Sequence, residues 1–151
     1  MDMFPAAAFP STQSECRYVA GLMSGTSFDG VDAVLVKLTG ARDTIQLNVK
    51  AAYHTSYSDD LHRRLHALSR SGRAPIDHLA ALHGHLADCY ADAVTALMNQ
   101  AARPLSSIDL VGVHGQTIAH VPASLADGPP GRGTLQLGAP GALASALNCP
   151  V

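Results

Sequence analysis

Nine consecutive residues hold the densest chemistry in the chain: Ser24-Gly25-Thr26-Ser27-Phe28-Asp29-Gly30-Val31-Asp32. Glycines let backbone N–H groups approach an anion closely, and neighbouring hydroxyls add further donors. Asp29 or Asp32 could hold the water shell of Mg²⁺, which takes few protein carboxylates and completes its octahedron with water and phosphate oxygens. The bland reading is a tight turn, because Asp-Gly between two apolar runs is a common hairpin signal. A turn does not need Gly25, Thr26 and Ser27 as well, so the spacing favours a bound phosphate. Neither GxxxxGK[ST] nor GxGxxG is present, and the segment leads into a strand-like run instead of a helix, which excludes both of those phosphate motifs.

A second cluster is His114-Gly115-Gln116-Thr117, with His120 and Pro122 just beyond. It ends an apolar run, Ile108 to Val113, and sheets with parallel strands place ligands at the carboxyl ends of such strands. Gln116 offers both a donor and an acceptor, which suits a sugar hydroxyl or an amide. His114 could bond a ligand or move a proton. A hydrogen-bonded core histidine and a turn explain these residues equally well on spacing alone.

Other polar groups carry less. His62 and His66 lie four apart, and His78, His83 and His85 crowd the next helical segment, but a metal site needs a third ligand, often a carboxylate. Beside Arg63, Arg64 and Asp88 these histidines read as solvated helix faces, so no metal ligands are expected among them. Ser24, Ser27 and Cys89 have no assignable base and make poor nucleophiles. Cys16, Cys89 and Cys149 are odd in number and widely spaced, which predicts no disulfide framework or zinc site.

The elements that must position these groups follow from composition and period. The chain has 151 residues, enough for one domain or part of a larger protein. Ten Lys and Arg against twelve Asp and Glu give a net charge of −2, which excludes an electrostatic nucleic-acid binder. Apolar residues make up 47% and charged ones only 15%, so the chain can build a core and has surface suited to burial against a partner. No apolar run reaches the ~20 residues of a membrane span, and the opening residues lack the features of a signal peptide. A cytoplasmic chain is expected, with residues 1–16 as a disordered tail and 17–151 as one folded unit.

Tyr18–Met23 and Val31–Leu38 read as strands, and Thr44–His54 alternates Ile45, Leu47, Val49 and Ala51 with polar residues, the period of a strand with one wet face. Short links make these three an antiparallel meander. Ser58 is the expected N-cap of a helix carrying Leu61, Leu65 and Leu68 and stopped by Gly72. After Pro75 a longer helix runs to about Ala102, with Leu79, Leu82, Leu86, Tyr90, Ala93, Leu97 and Ala101 as its apolar stripe. Ile108–His114 is a buried strand ending at Gly115-Gln116-Thr117, and Ile118–Val121 is a short extended piece. Ala123–Gly133 is a loop, Thr134–Gly138 a strand and Ala142–Leu147 a short helix. The order implies an α/β fold: a mixed sheet with an N-terminal antiparallel meander, flanked by helices on at least one face. The two-helix crossover lets the fourth strand run parallel to the first.

Gly21-Leu22-Met23-Ser24-Gly25-Thr26-Ser27-Phe28-Asp29-Gly30-Val31-Asp32-Ala33-Val34 closely resembles the opening motif of anhydro-N-acetylmuramic acid kinases. Val113-His114-Gly115-Gln116-Thr117, His120-Val121-Pro122 and Thr134-Leu135-Gln136-Leu137-Gly138 match further motifs of that family in the right order, over nearly all of Tyr18 to Val151. Phe28 stands where the family usually has Met or Leu. The resemblance implies a sugar-kinase/actin-like N-terminal lobe from an enzyme whose two lobes enclose a nucleotide cleft. It implies ATP and Mg²⁺ as cofactors, and 1,6-anhydro-N-acetylmuramic acid as substrate. The implied reaction opens the anhydro bond with water and phosphorylates O6, giving N-acetylmuramic acid 6-phosphate in cell-wall recycling. Gly25, Thr26, Ser27, Phe28, Asp29, Gly30, Val31 and Asp32 would then contact the ATP phosphates, and His114, Gln116 and Thr117 the sugar.

The resemblance also implies what is missing. The family's general-base Asp follows an Asp-Phe-Arg segment that would lie beyond Val151, as would the adenosine-binding part and the second lobe. No catalytic residue is therefore expected within this chain, which should be an incomplete lobe, inactive alone. Its partner would be the missing C-terminal lobe, and the full-length enzyme could form a homodimer. The alternatives are a non-catalytic sugar- or nucleotide-binding module derived from that lobe, or a phosphatase or unrelated nucleotide hydrolase using the same hairpin loop.

Overall fold

A short apolar run bounded by turn-forming residues makes the central strand of a five-stranded sheet, β1 (Arg17–Ser24). The computed structural model describes residues 16–40, 42–122 and 132–151. The tail expected over residues 1–16 lies outside the described residues except for Cys16, and so does the loop expected over Ala123–Gly133 up to residue 131. β2 (Gly30–Thr39) pairs antiparallel with β1, and β3 (Gln46–Ser56) pairs antiparallel with β2, completing the meander. Helices α1 (Asp59–Ser71) and α2 (Ile76–Gln100) cross over to β4 (Leu110–Val121), which runs parallel to β1 as expected. β5 (Gly133–Leu137) folds back antiparallel on β4, and α3 (Pro140–Leu147) follows. The strand order is β3-β2-β1-β4-β5.

The local signals for α1 work as read. Ser58 accepts the Leu61 N–H at 3.2 Å, Asp59 and Asp60 sit in the positive first turn, and Gly72 takes the left-handed C-cap conformation at φ +60°. Leu61, Leu65 and Leu68 are buried. Each such leucine stabilises the fold by roughly 1.5–3 kcal/mol of burial. They join Leu82, Leu86, Tyr90, Val94 and Leu97 of α2, Leu143 and Leu147 of α3, and Ala20, Leu22, Val31, Leu35 and Val111 of the sheet in one core. That core lies on a single face of the sheet.

Strand β3 departs from expectation. Ile45, Leu47 and Val49 do not form a buried face with Ala51: they are 56%, 62% and 58% exposed. A bulge is the cause, since Leu35 pairs with Ala51 while its neighbour Val36 pairs with Val49, leaving Lys50 over. One extra residue flips the alternation. Leu47 and Val49 therefore share the sheet's other face with Val36 and Leu38, away from the helices. Met23 and Leu110 are also exposed on that face, at 50% and 44%. Gly21 and Gly112 pair side by side on β1 and β4 and leave a shallow trough between them, part of a groove of about 560 Å³ bordered by Met23, Val34 and Ala52.

β4 also differs. It does not end at Gly115-Gln116-Thr117 but continues to Val121 as one strand. Its partner changes at that point. β1 stays alongside as far as the Ser24–Gln116 pair, and β5 pairs from Gln116–Leu137 onward. Gly115, at φ +76°, makes the bend between the two pairings, and the Leu137 carbonyl would lie 2.9 Å from any Cβ placed there.

Candidate functional site

The β1–β2 loop is built by tying its carbonyls to the protein. The Gly25 carbonyl accepts the Phe28 N–H at 3.3 Å, closing a tight turn, and also the Gln116 Nε2 amide at 2.9 Å. The Asp29 carbonyl accepts the Tyr57 N–H at 2.9 Å. Phe28 sits in the left-handed region at φ +57°, a bend of the kind that gathers successive N–H groups on one side. Its ring fills the core at 6% exposure and meets His66 edge-on, 6.0 Å between centroids. An apolar anchor at position 28 therefore fixes the loop from below, while Thr26, Ser27 and Asp29 are left exposed.

Ser27 Oγ donates to Asp29 Oδ1 at 2.7 Å. That hydrogen bond is the main reason the Asp29 carboxyl is held below its ordinary pKa. An ionised carboxylate thus stands at the loop's surface. Asp32 is separated from it. It lies on the helix-free face of the sheet, where His54 Nδ1 approaches its Oδ1 at 2.9 Å. Val31 and Gly30 are buried parts of β2, and a Cβ on Gly30 would collide with the Thr55 carbonyl. The structure thus brings Gly25 to Asp29 together as one surface and sets Gly30 and Val31 beneath it.

The second cluster divides in the same way. Gln116 is fully buried. Its Nε2 donates to Gly25 O at 2.9 Å and toward Thr117 O at 3.4 Å, and two carbonyl partners fix which end of the amide is the nitrogen. Its Oε1 is buried with no hydrogen-bond partner among the described residues. His114 is exposed, its Nδ1–H donating to Gly115 O at 2.9 Å, which leaves Nε2 as the acceptor of the neutral ring. His120 Nδ1 lies 3.0 Å from Thr134 Oγ1.

Three residues escaped the sequence reading. Tyr90, read as part of an apolar stripe, bonds Ser24 Oγ through its hydroxyl at 2.7 Å in the interior. Tyr57 sits beside them; burial, with the neighbouring Tyr90, pushes its phenol pKa well up. His83, read as solvated, accepts the Gly138 and Ala139 N–H groups on Nδ1 at 3.0 and 3.2 Å. The signal available for Tyr90 was its hydroxyl, which at a core position requires a partner. Among the described residues, no three His, Cys, Asp or Glu side chains come together to hold a metal ion. Asp29 fits the looser requirement of Mg²⁺, one or two carboxylates beside phosphate oxygens.

The family model described as anhydro-N-acetylmuramic acid kinase matches residues 17–151. The chain belongs to the anhydro-N-acetylmuramic acid kinase family. Among curated relatives of that name, the one from Salinibacter ruber is 41% identical over 137 residues, 89% of this chain and 34% of the relative. The one from Bordetella petrii is 41% identical over 135 residues, covering 89% and 33%. The one from Caldanaerobacter subterraneus subsp. tengcongensis is 34% identical over 131 residues, covering 86% and 33%. The chain thus spans about a third of the length of the curated relatives it matches. Its mixed sheet with helices on one face accords with the N-terminal lobe expected for this kinase family, and the loop Ser24–Gly30 opens that lobe.

Proposed function

We propose that this chain supplies the phosphate-binding part of an anhydro-N-acetylmuramic acid kinase, which opens 1,6-anhydro-N-acetylmuramic acid with water and phosphorylates O6 at the expense of ATP. The observation that carries the reading is the loop Gly25–Asp29, whose carbonyls at 25 and 29 are tied inward while its hydroxyls and one ionised carboxylate face out. Thr26 donates to phosphate oxygens through its hydroxyl and Ser27 through its backbone N–H, the Ser27 hydroxyl hydrogen being held by Asp29. Asp29 would hold the water shell of Mg²⁺ as an ionised carboxylate. The bound nucleotide and metal supply the transferable phosphoryl group and neutralise its charge. Exposed His114 and half-buried Thr117 approach the sugar. Gln116 contributes from beneath, since its buried amide can reach a sugar hydroxyl only if the loop moves.

The lobe works against the part that the longer relatives carry. Large apolar side chains gathered on an exposed face mark a surface suited to burial against a partner. Here Met23, which borders the Gly21–Gly112 trough, and Leu47, Val49 and Leu110 elsewhere on the same face are exposed. We assign that face to the segment corresponding to the relatives' remaining two thirds, which would also bring the general base and the rest of the nucleotide cleft. Half a cleft cannot position the reactants, so the chain alone is silent. No helix among the described residues is long and apolar enough to cross a membrane, and a cytoplasmic role in cell-wall sugar recycling fits the substrate.

The test is ATP-dependent phosphorylation of the anhydro sugar by the chain alone and by the chain joined to the C-terminal two thirds of the Bordetella petrii relative. Product from the joined protein only supports the reading. Turnover by the chain alone contradicts its incompleteness, and an inactive but folded joined protein favours a non-catalytic binding module. Phosphate released without sugar phosphate would mean a hydrolase.

A further inference from the structure

Helix α2 turns two polar side chains, His83 and Tyr90, into the protein from the same face, seven residues apart. His83 takes the two N–H groups of the turn between β5 and α3. The Tyr90 ring rests on that same turn: a Cβ at Gly138 would stand 2.6 Å from its Cε2. At the neighbouring ring position, the Tyr90 hydroxyl holds Ser24, the residue that opens the loop. Tyr90 is fully buried and Ser24 is 3% exposed. The hydroxyl end of one stiff side chain thus touches both the turn at Gly138 and the start of the loop.

We propose that Tyr90 is a positioning residue for the Ser24–Gly30 loop, fixing its distance from the Gly138–Ala139 turn so that α2 carries both as one body. The functional meaning rests on the phosphate-loop reading; the mechanical content rests on the geometry alone. Phenylalanine would fill the core as well as tyrosine. A hydroxyl in that interior is costly unless bonded, and here it is bonded to the loop. The Tyr90 phenol is neutral at neutral pH even at its ordinary pKa, and burial moves that value further up. The far end of the loop is seated similarly, where the Tyr57 N–H holds the Asp29 carbonyl. The Gly138 side depends on the ring and His83, the Ser24 side on the Tyr90 hydroxyl with the buried Tyr57 hydroxyl beside it, so the two couplings separate experimentally.

The experiment is amide hydrogen exchange on the whole chain without nucleotide, comparing Tyr90→Phe and Ser24→Ala with the unmodified protein. Losing one buried hydrogen bond should speed exchange of the hydrogen-bonded amides that seat the loop, those of Phe28 and Tyr57, about fivefold. The Gly138 and Ala139 amides and the α2 core should keep their rates, because the ring remains. The double variant should add nothing to either single one, since both remove the same bond. Loop exchange that is unchanged in both single variants, or a rise spread evenly over the sheet, overturns the proposal. Ser24→Ala keeps the test decisive should Tyr90→Phe fold poorly. MgATP titrations run alongside distinguish the two readings. A Kd raised about fivefold in Tyr90→Phe supports both, whereas no MgATP binding by the unmodified chain counts against the phosphate loop and leaves the exchange rates to decide Tyr90.

Discussion

Gln116 Nε2 and the Gly25 carbonyl oxygen lie 2.9 Å apart although 91 residues separate them in sequence. That bond joins the middle of β4 to the loop after β1, at the level where the β1–β4 pairing ends. The sheet's central pair thereby sets the height of the loop above the core.

Replacing Gln116 with Ala removes the donor and empties buried space. The expected cost is about 2–3 kcal/mol, combining a lost hydrogen bond with a cavity. Urea unfolding measures it, and the Phe28 amide, bonded to the same Gly25 carbonyl, should lose protection more than those of α2.

Gly30→Ala tests how the loop rejoins the sheet. The new Cβ meets the Thr55 carbonyl and the Ser56 backbone, neither of which is the end of a flexible side chain. Overpacking of this kind costs about 1–3 kcal/mol. Thermal unfolding should show that loss, and the first β2–β3 pairs, Gly30–Ser56 and Val31–Thr55, should exchange fastest.

Asp29 gives a pH signature. Its folded pKa is depressed, chiefly by the Ser27 hydroxyl, so its contribution is present above the ordinary carboxylate value and is lost as pH falls through the lower folded value. Above about pH 5 the loop should not change with pH on its account. Ser27→Ala should move the Asp29 midpoint upward, read from its carboxyl carbon resonance. A midpoint that stays put would assign the depression to the backbone instead.

Gly112→Leu tests the open face. Nothing stands within 4 Å of a Cβ at that position, so the isolated chain should keep its melting temperature. The side chain would fill the trough beside Gly21 and block whatever packs there. Association with the C-terminal part supplied as a separate chain, followed by size-exclusion chromatography, should fall at least tenfold. Undiminished association would place the contact elsewhere.

Much of the architecture was legible because its signals are local. Ser58, Gly72 and the Leu61-Leu65-Leu68 spacing define α1 without reference to any other element, and the crossover length gave the parallel β1–β4 pair. The bulge at Lys50 was not legible: it arises from the pairing with β2, and Ile45, Leu47 and Val49 look the same whichever face they take. Gly115 read as a strand end because the sequence does not say that β5 replaces β1 at that point. The loop's outward residues were readable from their types. Its supports were not. Gln116 and Tyr90 act on residues far along the chain, and His83 looks like any histidine on a helix until the turn at Gly138 packs against it.

The central claim is that Gly25–Asp29 grips the phosphates of a nucleotide, and titration of the isotopically labelled chain tests it most directly. Backbone amide resonances would be followed with MgATP and, in parallel, with adenosine. The account predicts saturable shifts centred on Thr26, Ser27, Phe28 and Asp29 with MgATP, and none there with adenosine. MgATP shifts that leave those four amides untouched, or equal responses to adenosine, would contradict it.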